Sequence, residues 1–195
     1  ILASNTSYLN IDEIAAVTER PQDVIGLHFF CPANIMKLLE IVIPKATSHS
    51  VIVTGFELAK KLRKIPVRAG NCDGFIGNRM LSACADSAAF MMEDGASPYE
   101  IDRAMRSFGY SMGPYQLLDL AGGDITWATR KRQSVARDPN FRYVEIADRL
   151  CERGWFGQKT GRGFYKYTSI NPLGAEDPEV LEIIKHERQK KNINP

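Results

Sequence analysis

The chain has 195 residues, enough for one domain or two small ones, and its 44% hydrophobic content suffices for a packed core. A formal net charge of +2 gives no strong attraction to nucleic acid. No apolar run approaches the roughly 18–20 residues of a membrane-spanning helix. Four cysteines without CxxC spacing indicate a reducing compartment and argue against a zinc site; they are Cys31, Cys72, Cys84 and Cys151.

The first 70 residues alternate between strand-like and helix-like segments. Asn10 is placed to cap a short helix over 11–17, and Ser48 or Ser50 to begin a longer helix. Branched and aromatic residues predict strands over 1–4, 24–30, 37–43 and 65–68. The order strand, helix, strand, strand, helix, strand predicts an α/β sheet.

After residue 70 the helical period dominates. Apolar spacing predicts a long helix over 74–92, and Ser97 with Glu100 forms a capping box that begins the next helix. Further helices are predicted over 114 to beyond 130 with a weak point at Gly122-Gly123, over 144–153, and from Pro178 onward, with a short aromatic strand over 163–167. A helical domain is therefore predicted to follow the sheet.

These patterns predict three parts: an α/β part over 1–70, a helical domain over 71–168, and an extension or linker with a basic helix over 169–195. The chain begins in an apolar strand, as a cut inside a larger domain would leave it. We therefore expect the chain to be a piece of a longer polypeptide.

His28 and Glu40 are the most informative residues. Each lies within an apolar, strand-like run, where a charge is costly unless it is paired. A His–Glu pair meets that requirement and also makes an oriented general base. A core histidine held by a carboxylate for packing alone explains the pattern about equally well.

Other polar residues give weaker signals. Asn5 and Ser7 follow the first strand, and ligands of open α/β sheets bind beyond the carboxyl ends of strands, although an ordinary turn also fits. Asn78, in the first turns of the long helix, has an amide donor to offer a developing negative charge, although most such asparagines are merely solvated. Lys159 lies in a glycine-containing loop that an anion can approach.

Other features are assigned structural roles or are absent. Asp119 and Asp124 are interpreted as structural, because nothing places an acceptor or a metal beside them. The chain contains no GxGxxG turn after a strand, no Walker lysine loop, no GxSxG elbow and no HExxH pair. The 195 residues alone are therefore not expected to hold a complete dinucleotide.

Six segments in order resemble the 3-hydroxyacyl-CoA dehydrogenase family over about residues 1–167. They are SNTS at 4–7, GLHFFCP at 26–32, MKLLE at 36–40, GFIGNR at 74–79, FGYSMGP at 108–114 and FGQKTGRGFY at 156–165. The helical half and the extension are most similar to the multifunctional enzymes of fatty-acid β-oxidation. Those enzymes have an enoyl-CoA hydratase part before this region and a second helical domain after it.

The resemblance implies a fold and a reaction. The fold would be the C-terminal part of a Rossmann-type NAD-binding sheet followed by the family's helical C-terminal domain. The reaction would be oxidation of (S)-3-hydroxyacyl-CoA to 3-oxoacyl-CoA with NAD. The family's glycine-rich turn and acidic ribose-binding residue would lie upstream of Ile1, so the chain alone is expected to have negligible affinity for NAD.

The resemblance also implies roles for individual residues. His28 matches the base that takes the proton of the 3-hydroxyl, and Glu40 the carboxylate that orients it. Ser7 and Asn78 match residues around the reacting oxygen of the substrate. The positions that match cofactor contacts are Asn5, Ser7 and Lys159. Cys31 stands where many single-function relatives have Asn, which puts any contact made by that side chain in doubt.

The expected partners are an acyl-CoA substrate and a second helical domain or a second copy, with no nucleic acid and no membrane span. Peroxisome, mitochondrion and cytoplasm all fit the reduced cysteines. Two alternatives stay open. One is a non-catalytic assembly module built on the helical part, and the other is a dehydrogenase of a hydroxy acid without CoA.

Overall fold

The computed structural model describes residues 1–195 and contains two compact units, residues 1–82 and 83–195. The first unit is a four-stranded sheet of β1 (Leu2–Ser4), β2 (Val24–Phe29), β3 (Leu38–Ile43) and β4 (Ile65–Gly70), in that spatial order. The β1–β2 and β3–β4 pairs are parallel and the β2–β3 pair is antiparallel. The carboxyl ends of β1 and β2 therefore meet the starts of β3 and β4 at one edge of the sheet.

Two helices cover the two faces of this sheet. Helix α1 (Ile11–Ala16) begins at Asn10, whose side chain accepts the N–H of Asp12, as predicted. Helix α2 (His49–Lys61) follows Ser48, which makes no side-chain cap. Successive strand residues point to opposite faces. One apolar cluster accordingly contains Ile11, Ala15, Val24, Val42, Ala69 and Phe75, and the other contains Ile25, Leu27, Leu39, Ile41, Val51 and Ala59.

The second unit is mainly helical, and α3 (Gly77–Asp94) runs from the first unit into it. It continues with α4 (Pro98–Phe108), α5 (Pro114–Ala121), α6 (Gly123–Gln133), α7 (Ile146–Glu152) and α8 (Pro178–Lys190), and a two-stranded ribbon of β5 (Tyr165–Lys166) and β6 (Ala175–Glu176). Its core includes Met92, Tyr99, Tyr115, Ile146, Leu150, Phe164, Val180 and Ile184. No helix of the chain is both long and apolar enough to cross a membrane.

Several predicted boundaries were wrong. The helix predicted from 114 to beyond 130 is two helices, because Gly122 has φ +98° and ends α5. The helix predicted from 74 begins at Gly77, since Gly74 and Phe75 both have positive φ. The predicted capping box of α4 is confirmed, with Ser97 and Glu100 bonding each other's backbone N–H.

The last segment is packed rather than free. Helix α8, in the predicted extension over 169–195, buries Val180 and Ile184 in the core of the helical unit. Its cap, Asp177, is fully buried and pairs with Arg162 and Lys166. The basic end of α8 also makes structural contacts, since Arg188 donates to the backbone carbonyls of Met92 and Ala96.

Candidate active site

The predicted His–Glu pair forms across two neighbouring strands. His28 of β2 lies opposite Glu40 of β3 in the antiparallel register, so both side chains leave the same face of the sheet. The two residues are 4% and 1% exposed, and His28 Nδ1 lies 2.6 Å from Glu40 Oε2. This geometry is that of a buried, hydrogen-bonded pair.

The second oxygen of Glu40 binds the backbone at the start of α3. Oε1 accepts the N–H groups of Ile76 and Gly77, each at 2.9 Å. Anionic oxygens are favoured at a helix N-terminus because the first N–H groups have no partner within the helix. One carboxylate thus holds both the imidazole and the first turn of the helix on which Asn78 lies.

The hydrogen bonds of Glu40 determine the tautomer of His28. Three nitrogens face the carboxylate: His28 Nδ1 and the backbone nitrogens of Ile76 and Gly77. A carboxylate only accepts hydrogen bonds, so His28 Nδ1 must bear a proton and donate it to Glu40. In the neutral ring Nε2 then has a free lone pair. The Ser7 hydroxyl lies 3.1 Å from Nε2, and in this tautomer the hydroxyl is the donor. The unprotonated nitrogen is therefore the one that faces the polar turn after β1.

Two aromatic rings enclose the imidazole. Phe30 lies 4.7 Å from the His28 ring and Phe75 lies 5.5 Å from it, measured between ring centroids. Phe75 is buried and has φ +48°, an uncommon backbone conformation for a bulky residue. The GF pair at 74–75 is the sequence signal for this tight turn, yet a role beside the histidine was not predicted for either phenylalanine.

Asn5 follows β1, and Asn78 lies near the start of α3. Asn5 Oδ1 accepts the N–H of Phe29 at 2.9 Å, which ties the turn after β1 to the end of β2. The Asn5 side chain is exposed and its amide N–H₂ group faces no partner within the chain. Asn78 is half-buried in the first turn of α3, as predicted.

Lys159 belongs to the helical unit, where its ammonium group pairs with the carboxylate of Asp124. The pair keeps the pKa of Asp124 below its ordinary value. Gly157 and Gly161 flank the lysine with positive φ, as expected for a glycine-containing loop. Asp124, interpreted from the sequence as structural, is thus the partner of this lysine.

Two buried aspartates organise the helical unit. Asp102 accepts the N–H groups of Tyr115 and Gln116, each at 2.9 Å, at the start of α5. Asp119 accepts the N–H of Phe164 at 3.0 Å and the hydroxyl of Tyr167 at 2.9 Å. Burial raises the pKa of Asp119 to about 6. These contacts agree with the structural interpretation of Asp119, whereas the role of Asp102 was not predicted.

The groups at the ends of β1 and β2 fit a nicotinamide cofactor. The parallel β1–β2 pair presents its carboxyl ends, the free amide of Asn5 and the Ser7 hydroxyl at one edge, where open α/β sheets bind dinucleotides. The amide of Asn5 and the hydroxyl of Ser7 suit the nicotinamide end of such a dinucleotide. The chain has no glycine-rich turn for the phosphates.

An α/β sheet with a buried carboxylate-oriented histidine at its ligand-binding edge, followed by a helical domain, defines a dehydrogenase-like architecture. Two family models match this arrangement in order. The NAD binding domain of 3-hydroxyacyl-CoA dehydrogenase matches residues 1–72, and the C-terminal domain of the same family matches residues 74–167. The chain belongs to the 3-hydroxyacyl-CoA dehydrogenase family.

Known proteins agree with this assignment. The chain is 46% identical over its whole length to the peroxisomal bifunctional enzyme of Cavia porcellus, of which it covers 28%. Its sequence is 36% identical to that of (S)-3-hydroxybutyryl-CoA dehydrogenase from Ralstonia eutropha. The crystal structure of that enzyme superimposes with a TM-score of 0.78 over 87% of this chain and 61% of that one. The dehydrogenase part of a multifunctional enzyme from C. elegans is 30% identical, with a TM-score of 0.59 over 95% of this chain and 42% of that one.

Proposed function

We propose that the chain supplies the catalytic base and the helical domain for NAD-dependent oxidation of (S)-3-hydroxyacyl-CoA to 3-oxoacyl-CoA in fatty-acid β-oxidation. The observation that supports this most directly is the Glu40–His28–Ser7 series, which leaves the Nε2 lone pair facing the ligand-binding edge of the sheet. Family membership and the names of the relatives support the substrate class.

In this mechanism the substrate's 3-hydroxyl takes the place of the Ser7 hydroxyl beside His28 Nε2 and donates its hydrogen bond to that nitrogen. His28 accepts the hydroxyl proton as the C3–H bond breaks, and Glu40 stabilises the resulting imidazolium through its bond to Nδ1. NAD⁺, when bound, supplies the acceptor for the hydride from C3. Ser7 and Asn78 then bind the oxygen that becomes the carbonyl.

The remaining roles belong to the same proposal. Asn5 and Ser7 border the nicotinamide, and Lys159 is a further contact of the cofactor. We also propose that the chain divides into its two domains at residue 70. The helical part then packs on a second helical domain or on a second copy. The names of the relatives favour a peroxisomal setting.

NAD⁺ binding tests the proposal. The titration compares the 195-residue chain with an extended polypeptide that adds the natural upstream sequence with its dinucleotide-binding half. We expect calorimetry to detect NAD⁺ only with the extended polypeptide, which also forms NADH on (S)-3-hydroxybutyryl-CoA. A His28→Gln variant of the extended polypeptide should bind NAD⁺ and form almost no NADH.

Two other results would contradict the proposal. NADH formation only on hydroxy acids without CoA would replace the substrate class. Absence of NAD⁺ binding by both polypeptides would favour the non-catalytic assembly module.

A further inference from the structure

Lys64 joins three elements at the edge of the sheet where the base lies. Its backbone N–H donates to the carbonyl of Ala59 at 2.9 Å and closes the last turn of α2. The preceding Arg63 has φ +55°, as this kind of helix ending requires. The next N–H, of Ile65, donates to the carbonyl of Lys37 at 2.8 Å. The lysine backbone is therefore held by the helix and by the sheet.

The connection between β2 and β3 is held by fewer contacts. Residues 31–37 are all exposed, so no buried side chain anchors them. Within this connection the N–H groups of Ile35 and Met36 donate to the carbonyl of Pro32 at 3.0 and 2.9 Å, which forms a single turn. We call residues 31–37 the β2–β3 turn.

The side chain of Lys64 binds this turn. Its ammonium group donates to the carbonyl of Ala33 and, at 2.7 Å, to the carbonyl of Met36. Both acceptors are backbone carbonyls, so the charge is used to hold main chain rather than to pair with a carboxylate. Hydrogen bonds from an ionised donor are about twice as strong as neutral ones. Lys64 is thus a strong and specific anchor of the β2–β3 turn.

The position of the turn relates it to the substrate. The turn begins directly after Phe30, whose ring packs against His28, and it ends three residues before Glu40. Ile35 is 68% exposed and Met36 is 41% exposed, so the turn presents apolar side chains to solvent at the ligand-binding edge.

We infer that Lys64 is a positioning residue, which fixes the β2–β3 turn as one wall of the acyl-CoA site. This inference rests on the proposed function for the identity of the substrate. The His28–Glu40 pair is held by the sheet register and does not need Lys64. Loss of the lysine should therefore weaken substrate binding and leave the base intact.

Amide hydrogen exchange tests the anchoring without requiring activity. In the extended polypeptide, Lys64→Met removes the donors while keeping a side chain of similar length, and Lys64→Arg restores charged donors. Lys61→Met, on the exposed end of α2, is the matched control. We expect exchange at Ile35 and Met36 to be about tenfold faster in Lys64→Met, with recovery in Lys64→Arg and no change in the control.

Kinetics of the same variants test the link to the substrate. We expect the KM for (S)-3-hydroxybutyryl-CoA to rise about tenfold in Lys64→Met, with kcat and the pH profile of kcat nearly unchanged and with rescue by Lys64→Arg. If Lys64→Met does not fold, Lys64→Gln takes its place in both measurements.

The outcomes separate the two hypotheses. Unchanged exchange at the turn would overturn the anchoring role of Lys64. Faster exchange with an unchanged KM, or with a loss of kcat and a displaced pH profile, would overturn its role as a wall of the substrate site. If the unmodified polypeptide shows no dehydrogenase activity, the proposed function fails, whereas the exchange result still decides the anchoring.

Discussion

Glutamine at position 40 should separate the two tasks of the carboxylate. Glu40 accepts one bond from His28 Nδ1 and two from the N–H groups of Ile76 and Gly77. A glutamine side chain offers one oxygen and one N–H₂ group. With the oxygen toward the helix, the N–H₂ group faces Nδ1. The opposite orientation places that group against two backbone donors, so the first orientation is favoured.

That orientation reverses the tautomer of the imidazole. Nδ1 of His28 must then accept, so the proton moves to Nε2 and the lone pair needed by the substrate hydroxyl is lost. General base catalysis contributes about 10²–10⁴-fold, and we expect kcat of Glu40→Gln in the extended polypeptide to fall by about that factor with little change in KM. Because the hydrogen bonds are kept in neutral form, the free energy of unfolding should fall by only about 1–2 kcal/mol.

Glu40→Ala is the informative comparison. It leaves the donors of the α3 start and the imidazole of His28 unpaired in a buried site, at a cost of about 1–3 kcal/mol for each group. Steady-state kinetics, urea unfolding and amide exchange at Ile76 and Gly77 measure the two effects separately. A wild-type kcat in Glu40→Gln, or amides at its helix start that exchange as fast as those of Glu40→Ala, would contradict the two roles assigned to Glu40.

Three other changes are expected to have measurable effects. His28→Gln should lower kcat by about 10²–10⁴-fold with a nearly constant KM, and an equal effect on both constants would contradict a chemical role. Gly77→Ala places a Cβ 2.7 Å from Phe30 Cζ, so the phenylalanine ring must move. We expect the free energy of unfolding to fall by about 1–3 kcal/mol and kcat to fall as well. Unchanged thermal melting and kinetics would show that this contact is unimportant. Burial raises the pKa of Asp119 to about 6, so the folded state holds this proton more tightly than the unfolded state. The contribution of Asp119 to the free energy of unfolding is complete below about pH 4 and falls by about 3 kcal/mol as the pH rises through 6. Melting from pH 4 to 7 should show that the difference between wild type and Asp119→Asn follows this trend, and a difference independent of pH would argue against it.

The sheet unit was largely predictable from the sequence, and physical reasons explain why. Short runs of branched and aromatic residues indicate strands, and placing His28 and Glu40 inside two adjacent runs predicts a pair. Their separation in the chain matches an antiparallel connection. The second role of Glu40 could not be predicted, because its partners are backbone N–H groups 36 and 37 residues away, which no side-chain pattern reveals.

The helical unit was predictable in its elements but less so in its contacts. Apolar periodicity identified its helices, yet it predicted one helix with a weak point at Gly122-Gly123 where Gly122 separates α5 from α6. Lys159 was recognised from its loop, whereas its ion pair with Asp124 depends on tertiary packing. Similarly, Asp102 resembles any surface aspartate of an amphipathic helix until the start of α5 is placed against it.

The packing of α8 has a practical consequence for how the molecule can be divided. The family model of the helical domain ends at residue 167, which makes that position an attractive place to end an expressed protein. Such a protein would lose Val180 and Ile184 from its core, and the Tyr99 hydroxyl would lose its bonds to the backbone of Asp177. The uncovered apolar surface would promote aggregation. The working boundary of this helical module lies beyond α8, later in the chain than family similarity alone indicates.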